Sequence, residues 1–115
     1  MRMTPLTQQQ SLSPKQGLKR LADDQIPGLL SQVSGWTHQP DTQTISKSFK
    51  FENYYQTIAF VNALAWIANA EDHHPDLEVG YNRCTVHFTT HAVNGLSLND
   101  FISAAKTDAL LHGHA

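Results

Sequence analysis

The hydrophobic pattern divides the chain into an aperiodic start and a patterned remainder. From Met1 to about residue 20 the sequence is dominated by Gln, Ser, Thr and Pro, with almost no apolar recurrence. Such a segment buries too little to offset the entropy of ordering it, so a flexible N-terminal arm is expected. Residues 21–111 carry the pattern of a single domain, and residues 112–115 form an expected frayed tail. Asp23 and Asp24 offer N-cap chemistry, Pro27 suits a first helical turn, and Ile26, Leu29, Leu30 and Val33 recur at helical spacing. A short helix is predicted from about Asp24 to Val33, stopped by Ser34-Gly35. Trp36 to Gln39 and Ile45 to Phe51 alternate in part around the polar turn Pro40-Asp41-Thr42, with Ile45, Lys47, Phe49 and Phe51 on one face, which reads as a hairpin. From about Asn53 to Ala70, Ile58, Val61, Leu64, Ala65, Ile67 and Ala68 recur at threes and fours, the strongest helical signal in the chain. Leu77 to Tyr81 and Cys84 to Thr90 read as a second hairpin turning near Asn82-Arg83, with Cys84, Val86 and Phe88 on one face. After a turn at Asn94-Gly95, Ser97 caps a last helix to about Leu111 with Phe101, Ile102, Ala105 and Ala109 inward.

The order helix, strand, strand, helix, strand, strand, helix favours an α+β domain: a four-stranded antiparallel sheet with helices packed on one face. A chain of 115 residues, 40% of them hydrophobic, can bury one modest core. Its formal charge is -2 with the basic residues scattered, so neither nucleic-acid nor anionic-membrane binding is expected. No apolar stretch approaches the roughly 20 residues that span a bilayer, and the start lacks the apolar core of a signal peptide, so a cytoplasmic location is expected. The single cysteine, Cys84, cannot close an internal disulfide, which fits a reducing compartment. It reads better as a small buried strand residue than as a nucleophile, which would need a base beside it.

The densest chemistry lies in Glu71-Asp72-His73-His74-Pro75-Asp76, where carboxylates bracket two adjacent histidines just after the long helix. Imidazoles titrate near working pH, and neighbouring carboxylates fix their tautomer, so the pair can give and take protons. Pro75 biases His74 toward extended backbone and ends the helix there. A solvated acidic loop is the competing reading of the same residues. His91 stands at the expected end of the last strand and Asp100 in the first turn of the last helix. Each has a simpler reading: His91 as an exposed strand-end residue, and Asp100 with Ser97 as a capping box. A metal site among His73, His74, His87 and His91 is the natural rival. Adjacent histidines on extended backbone point to opposite sides, and the spacing of His87 to His91 suits a helix rather than a strand, so no metal and no cofactor are expected. No Gly-rich phosphate loop and no nucleophile elbow are present, and His38, His112 and His114 read as incidental.

These residues resemble the pterin-4a-carbinolamine dehydratases, also known as the dimerisation cofactor family of a homeodomain transcription factor, over roughly Leu21 to Leu110. The family signature has His-His-Pro, an aromatic after five or six residues, a His or Trp nine beyond, and an Asp after eight or more. Here His73-His74-Pro75, Tyr81, His91 and Asp100 are separated by five, nine and eight residues. Gly35-Trp36, Thr89-Thr90-His91 and Gly95-Leu96-Ser97 extend the likeness. Two positions depart from it. Asn69 stands where the family has an ionisable residue four before the first His, leaving Glu71 or Asp72 as the nearby acids, and Asn99 stands where some members carry a basic residue.

The resemblance implies a lyase that dehydrates 4a-hydroxytetrahydrobiopterin to quinonoid dihydropterin, in tetrahydropterin recycling. It implies His74 and His91 as the leading proton donors or acceptors, His73 close to the leaving hydroxyl, and Asp72 orienting an imidazole. It also implies the backbone of Thr89, Thr90 and His91 hydrogen-bonding the flat pterin, Asp100 binding polar groups or supporting His91, and Pro75 shaping the pocket wall. A homodimer or homotetramer is the implied assembly, in keeping with an exposed sheet edge. Two alternatives share the fold: another pterin substrate, such as a molybdopterin-related one, and a dimeric binding or coactivator module.

Overall fold

Two hairpins and three α-helices make up the domain in a computed structural model whose described residues run from 4 to 111. The expected tail, with His112 and His114, lies outside the described residues. In chain order the elements are α1 (Ile26–Leu30), β1 (Thr37–Gln39), β2 (Thr44–Lys50), α2 (Tyr54–Glu71), β3 (Asp76–Val79), β4 (Arg83–Phe88) and α3 (Leu98–Ala109). The strands form one antiparallel sheet in the order β1-β2-β4-β3, the α+β architecture that the pattern predicts. α1 is shorter than the predicted helix because the chain beyond it tightens: Gln32 and Val33 donate to the carbonyls of Leu29 and Leu30, three residues back.

Register assigns the two faces of the sheet. Ile45 pairs with Phe88, Lys47 with Val86 and Phe49 with Cys84, and this face packs against the helices. Phe60 and Leu64 of α2, and Phe101, Ile102 and Ala104 of α3, complete the core with Trp36. Lys47 shares this apolar face, and its ammonium reaches past it to the Asp108 carboxylate at 2.9 Å and the Ser34 carbonyl at 2.9 Å. The opposite face carries Thr37, Ser46, Ser48, Thr85 and His87 in cross-strand polar pairs and, among the described residues, has no helix over it.

The inner face of α2 is resolved by the structure, and that of α3 differs in part from expectation. In α2, of the apolar residues that recur at helical spacing, Leu64 and Ala68 are buried and Ala65 is exposed, and Thr57 and Phe60 also take inner places. Apolar residues run nearly all round α2, so helical spacing alone fits more than one face. The Thr57 hydroxyl lies 2.9 Å from both the Asn53 and Tyr81 carbonyls, which gives a polar residue a satisfied place inside. In α3, Phe101 and Ile102 are inward, but Ala104 rather than Ala109 is buried; Ala109 borders an outer groove beside Trp66.

The expected flexible arm is laid against the domain. Leu6, in a single turn at Leu6–Gln8, joins the core beside α3. Farther on, the Ser11 peptide N–H donates to Glu71 at 2.9 Å and the Leu12 N–H to the Asn99 carboxamide at 3.0 Å. Polar side chains of the domain satisfy backbone groups of the segment, an interaction to which apolar periodicity is blind.

Candidate active site

Helix α2 ends at Glu71, and the next residue reverses the chain. Asp72 adopts a left-handed conformation (φ 49°, ψ 43°), and its N–H closes on the carbonyls of Ala68 and Asn69. An aspartate tolerates this region better than most side chains, and such a residue is a common helix stop. The turn carries His73 inward, with its N–H 3.1 Å from the Ala68 carbonyl, while Asp72 and His74 stay exposed on either side. The adjacent histidines therefore have opposite environments.

His73 is buried with its ring stacked on Phe88, centroids 5.8 Å apart at 12°. Its Nε2 meets Asp100 Oδ1 at 2.6 Å. Asp100 is 0% exposed, and its other oxygen accepts from the Thr90 hydroxyl at 2.8 Å and the Ser97 peptide N–H at 2.9 Å. Thr90 directs its one hydroxyl hydrogen at Asp100, so the 2.8 Å contact between Thr90 and Ser97 is a hydrogen bond donated by Ser97. Asp100 thus serves both readings offered by its position, capping α3 and holding an imidazole. The imidazole is that of His73, not His91, and the supporting acid is Asp100 rather than Asp72. A carboxylate on Nε2 assigns the proton of the neutral ring to that nitrogen and leaves Nδ1 as its acceptor.

β4 supplies the other wall. Gly80 donates to the Arg83 carbonyl, so in the β3–β4 ladder residues 83, 85 and 87 turn their peptide groups toward β3. The alternation carries on to Thr89, but β3 begins only at Asp76 and presents no strand residue opposite. The Thr89 peptide faces the gap beside His74, while its hydroxyl donates to the Gln43 carbonyl at 2.6 Å. Thr90 is different: its N–H and C=O are tied to Gly95 and Val93. Of the Thr89–His91 backbone expected to meet a ligand, the Thr90 portion is occupied by the protein itself. His91 opens a short turn, His91–Val93, instead of ending the strand, and is exposed.

His73, His74, Thr89, Thr90 and His91 line one cleft of about 440 Å³, within the range of small-molecule sites. Asp72 and Glu71 border it, Asp100 lies beneath His73, and Pro75 faces a separate small cavity against Val61 and Leu64. The rest of its lining comes from Ser11, Leu12, Ser13, Pro14, Gln16 and Leu18, together with Ala92 and Asn99. Sequence reasoning missed this part of the lining, because a Gln-, Ser- and Pro-rich segment gives no positional signal apart from its scattered leucines. His87 is elsewhere, on the open sheet face between Ser46 and Glu78. Among the described residues no group of three or more His, Cys, Asp or Glu side chains converges as a metal site.

The family model described as Pterin 4 alpha carbinolamine dehydratase matches residues 19–110, which contain every histidine of the cleft. The chain belongs to the pterin-4a-carbinolamine dehydratase family. A Legionella pneumophila (strain Corby) protein provisionally named pterin-4-alpha-carbinolamine dehydratase is 60% identical over 92 residues, 79% of this chain and 81% of that protein. One of the same provisional name from Stenotrophomonas maltophilia (strain K279a) is 51% identical over 94% of this chain and 93% of its own length. Among solved structures, a transcriptional coactivator/pterin dehydratase from Brucella melitensis superposes with a TM-score of 0.77 at 32% identity, covering 80% of this chain and 98% of that one. A pterin dehydratase-like protein identified as a RuBisCO assembly factor in the alpha-carboxysome has a TM-score of 0.60 at 28% identity, covering 68% and 90%. The pterin-4a-carbinolamine dehydratase fold of this chain therefore recurs in relatives described as enzymes and in relatives described as partners of other proteins.

Proposed function

We propose that this chain is a hydro-lyase acting on a 4a-hydroxytetrahydropterin, with histidines as its general acid and base and with tetrahydropterin recycling as its role. The observation that carries the reading is the convergence of His73, His74 and His91 on one cleft, with His73 held by the buried carboxylate of Asp100. Dehydration needs one proton delivered and one removed. The bond from carbon 4a to the hydroxyl breaks with its electron pair going to oxygen, and an acid protonates that oxygen. The base takes the proton from ring nitrogen 5, and the freed pair forms the double bond from carbon 4a to nitrogen 5 of a quinonoid dihydropterin. His74 and His91, both exposed to the cleft, are the leading proton carriers. His73, with its tautomer set by Asp100, lies nearest the departing hydroxyl, and the unpaired Thr89 peptide hydrogen-bonds the flat ring. Asp72, Pro75 and Thr90 support the site around them.

Stopped-flow absorbance on chemically generated 4a-hydroxytetrahydropterin tests this reading. His74→Ala and His91→Ala should each lower turnover by roughly 10²-fold, the usual contribution of a positioned proton carrier. Full turnover in both variants would remove them from catalysis, and no rate above background in the wild type would remove the reaction.

A binding role is the second reading, favoured by the outer face of α2. Tyr55 is 82% and Trp66 75% exposed there, over an apolar groove between α2 and α3. We assign this face, together with the β3 edge, to homo-oligomer formation. A cytoplasmic location fits the lone Cys84, a buried thiol whose pKa burial pushes up, which disfavours the thiolate.

A further inference from the structure

Most of the remaining cleft lining is built from the segment before the family match, and Asn99 holds it there. Asn99 is 4% exposed and reads the Leu12 peptide at both ends: its carboxamide oxygen accepts from the Leu12 N–H at 3.0 Å, and its Nδ2 donates to the Leu12 carbonyl at 2.8 Å. One residue earlier, the Ser11 N–H is held by Glu71, whose other oxygen takes the Lys106 ammonium at 2.6 Å. Leu6 anchors the segment in the core at one end, and the Leu21 N–H bonds the Leu96 carbonyl at 2.8 Å at the other. The intervening residues that meet the cleft, including Leu12, Pro14, Gln16 and Leu18, are all uncharged. No Lys or Arg lines the cleft among the described residues, and Glu71 and Asp72 lie on its border.

We propose that residues 11–18 are the specificity wall of the cleft and that Asn99 is the positioning residue that docks them, so that the site selects pterins with uncharged ring substituents over phosphate-bearing ones. The inference rests on the pterin reading above. The reacting edge of the ring must meet His73, His74 and His91, so the substituent is left to the remaining wall. A phosphate there would meet the Glu71 and Asp72 carboxylates at the border and the uncharged Ser11, Leu12, Ser13, Pro14, Gln16 and Leu18, with Lys15 the one cation of the segment and outside the cleft lining, which opposes it electrostatically. The family match begins at residue 19, after this wall, while the Stenotrophomonas relative, matched over 94% of this chain, extends into it.

The test compares the full-length wild type with Asn99→Ala, Leu12→Pro and the double variant. Leu12→Pro removes the N–H that Asn99 accepts from and keeps the carbonyl that Asn99 donates to; because the Leu12 side chain also meets the cleft, its tryptic cleavage rate is the readout that reports on the same contact if Asn99→Ala folds poorly. Two readouts are needed: the rate of tryptic cleavage after Lys15, and kcat and KM for 4a-hydroxytetrahydropterins with a neutral or a phosphate-bearing substituent. With the dock broken, cleavage and the KM for the neutral substrate should each rise about tenfold while kcat changes less than about threefold, because uniform binding is lost and the proton carriers are untouched. Discrimination against the phosphate-bearing substrate should narrow, and the double variant should be no worse than either single one. Wild-type turnover with unchanged KM and cleavage in both single variants would overturn the wall alone. Wild-type turnover of neither substrate would overturn the dehydratase reading and this specificity with it.

Discussion

Asp100 does the work of three positions. It receives the His73 ring, the Thr90 hydroxyl and the Ser97 N–H with no exposure to water. Asp100→Ala would strand three buried groups at once and should cost about 3 kcal/mol in urea unfolding. Asp100→Asn keeps the volume but offers only one oxygen, so it should lose less stability while still lowering turnover. A measured loss in Asp100→Ala no larger than that of an ordinary surface substitution would contradict the network. At this scale the sequence was partly legible. The spacing of His73, His74, His91 and Asp100 marked the residues, because chemistry is carried by residue type. It did not disclose the pairing, since which acid meets which imidazole depends on where α3 lies against the end of α2. Asp72 is the nearer acid in sequence, whereas the acid that meets the His73 ring in space is Asp100.

Elements set the second scale, and the join between α2 and α3 is the telling one. Glu71, last in α2, bonds Lys106 of α3 and the Ser11 peptide. Burial pushes its carboxyl up, but the hydrogen bonds from Lys106 and Ser11 and the Lys106 charge outweigh it and hold the carboxyl below the ordinary glutamate range. A group whose folded value is depressed contributes stability that is present above its unfolded value and lost as pH falls through the folded one. Glu71→Gln should therefore be destabilising at neutral pH, with the difference from wild type shrinking under acid conditions, as denaturant titrations across that range would measure. A difference independent of pH would show that packing, not charge, joins the two helices. The hairpins were legible because alternation has a single period and a single inward face, whereas in α2 the helix was legible but its inner face was not, because a nearly all-round apolar helix offers no unique stripe.

For the whole molecule, the order of elements and the one-sided cover of the sheet followed from the pattern. The placement of residues 4–20 did not, because that segment is held largely by hydrogen bonds to Glu71 and Asn99. The exposed Tyr55 and Trp66 are the basis on which we propose self-association through the outer α2 face. Sedimentation equilibrium at micromolar concentration should give a dimer or larger for the wild type and a lower mass for Trp66→Glu, with turnover per chain retained because Trp66 lies apart from the cleft. A wild-type monomer would leave that face unexplained by self-contact. Finally, Asn99 and Asp100 are neighbours on one helical turn with separate duties, one docking the wall and the other locking His73. On the proposed roles, a substitution at residue 99 changes what the cleft admits and leaves the His73 lock in place, so the two duties are separable by mutation although they share one helical turn.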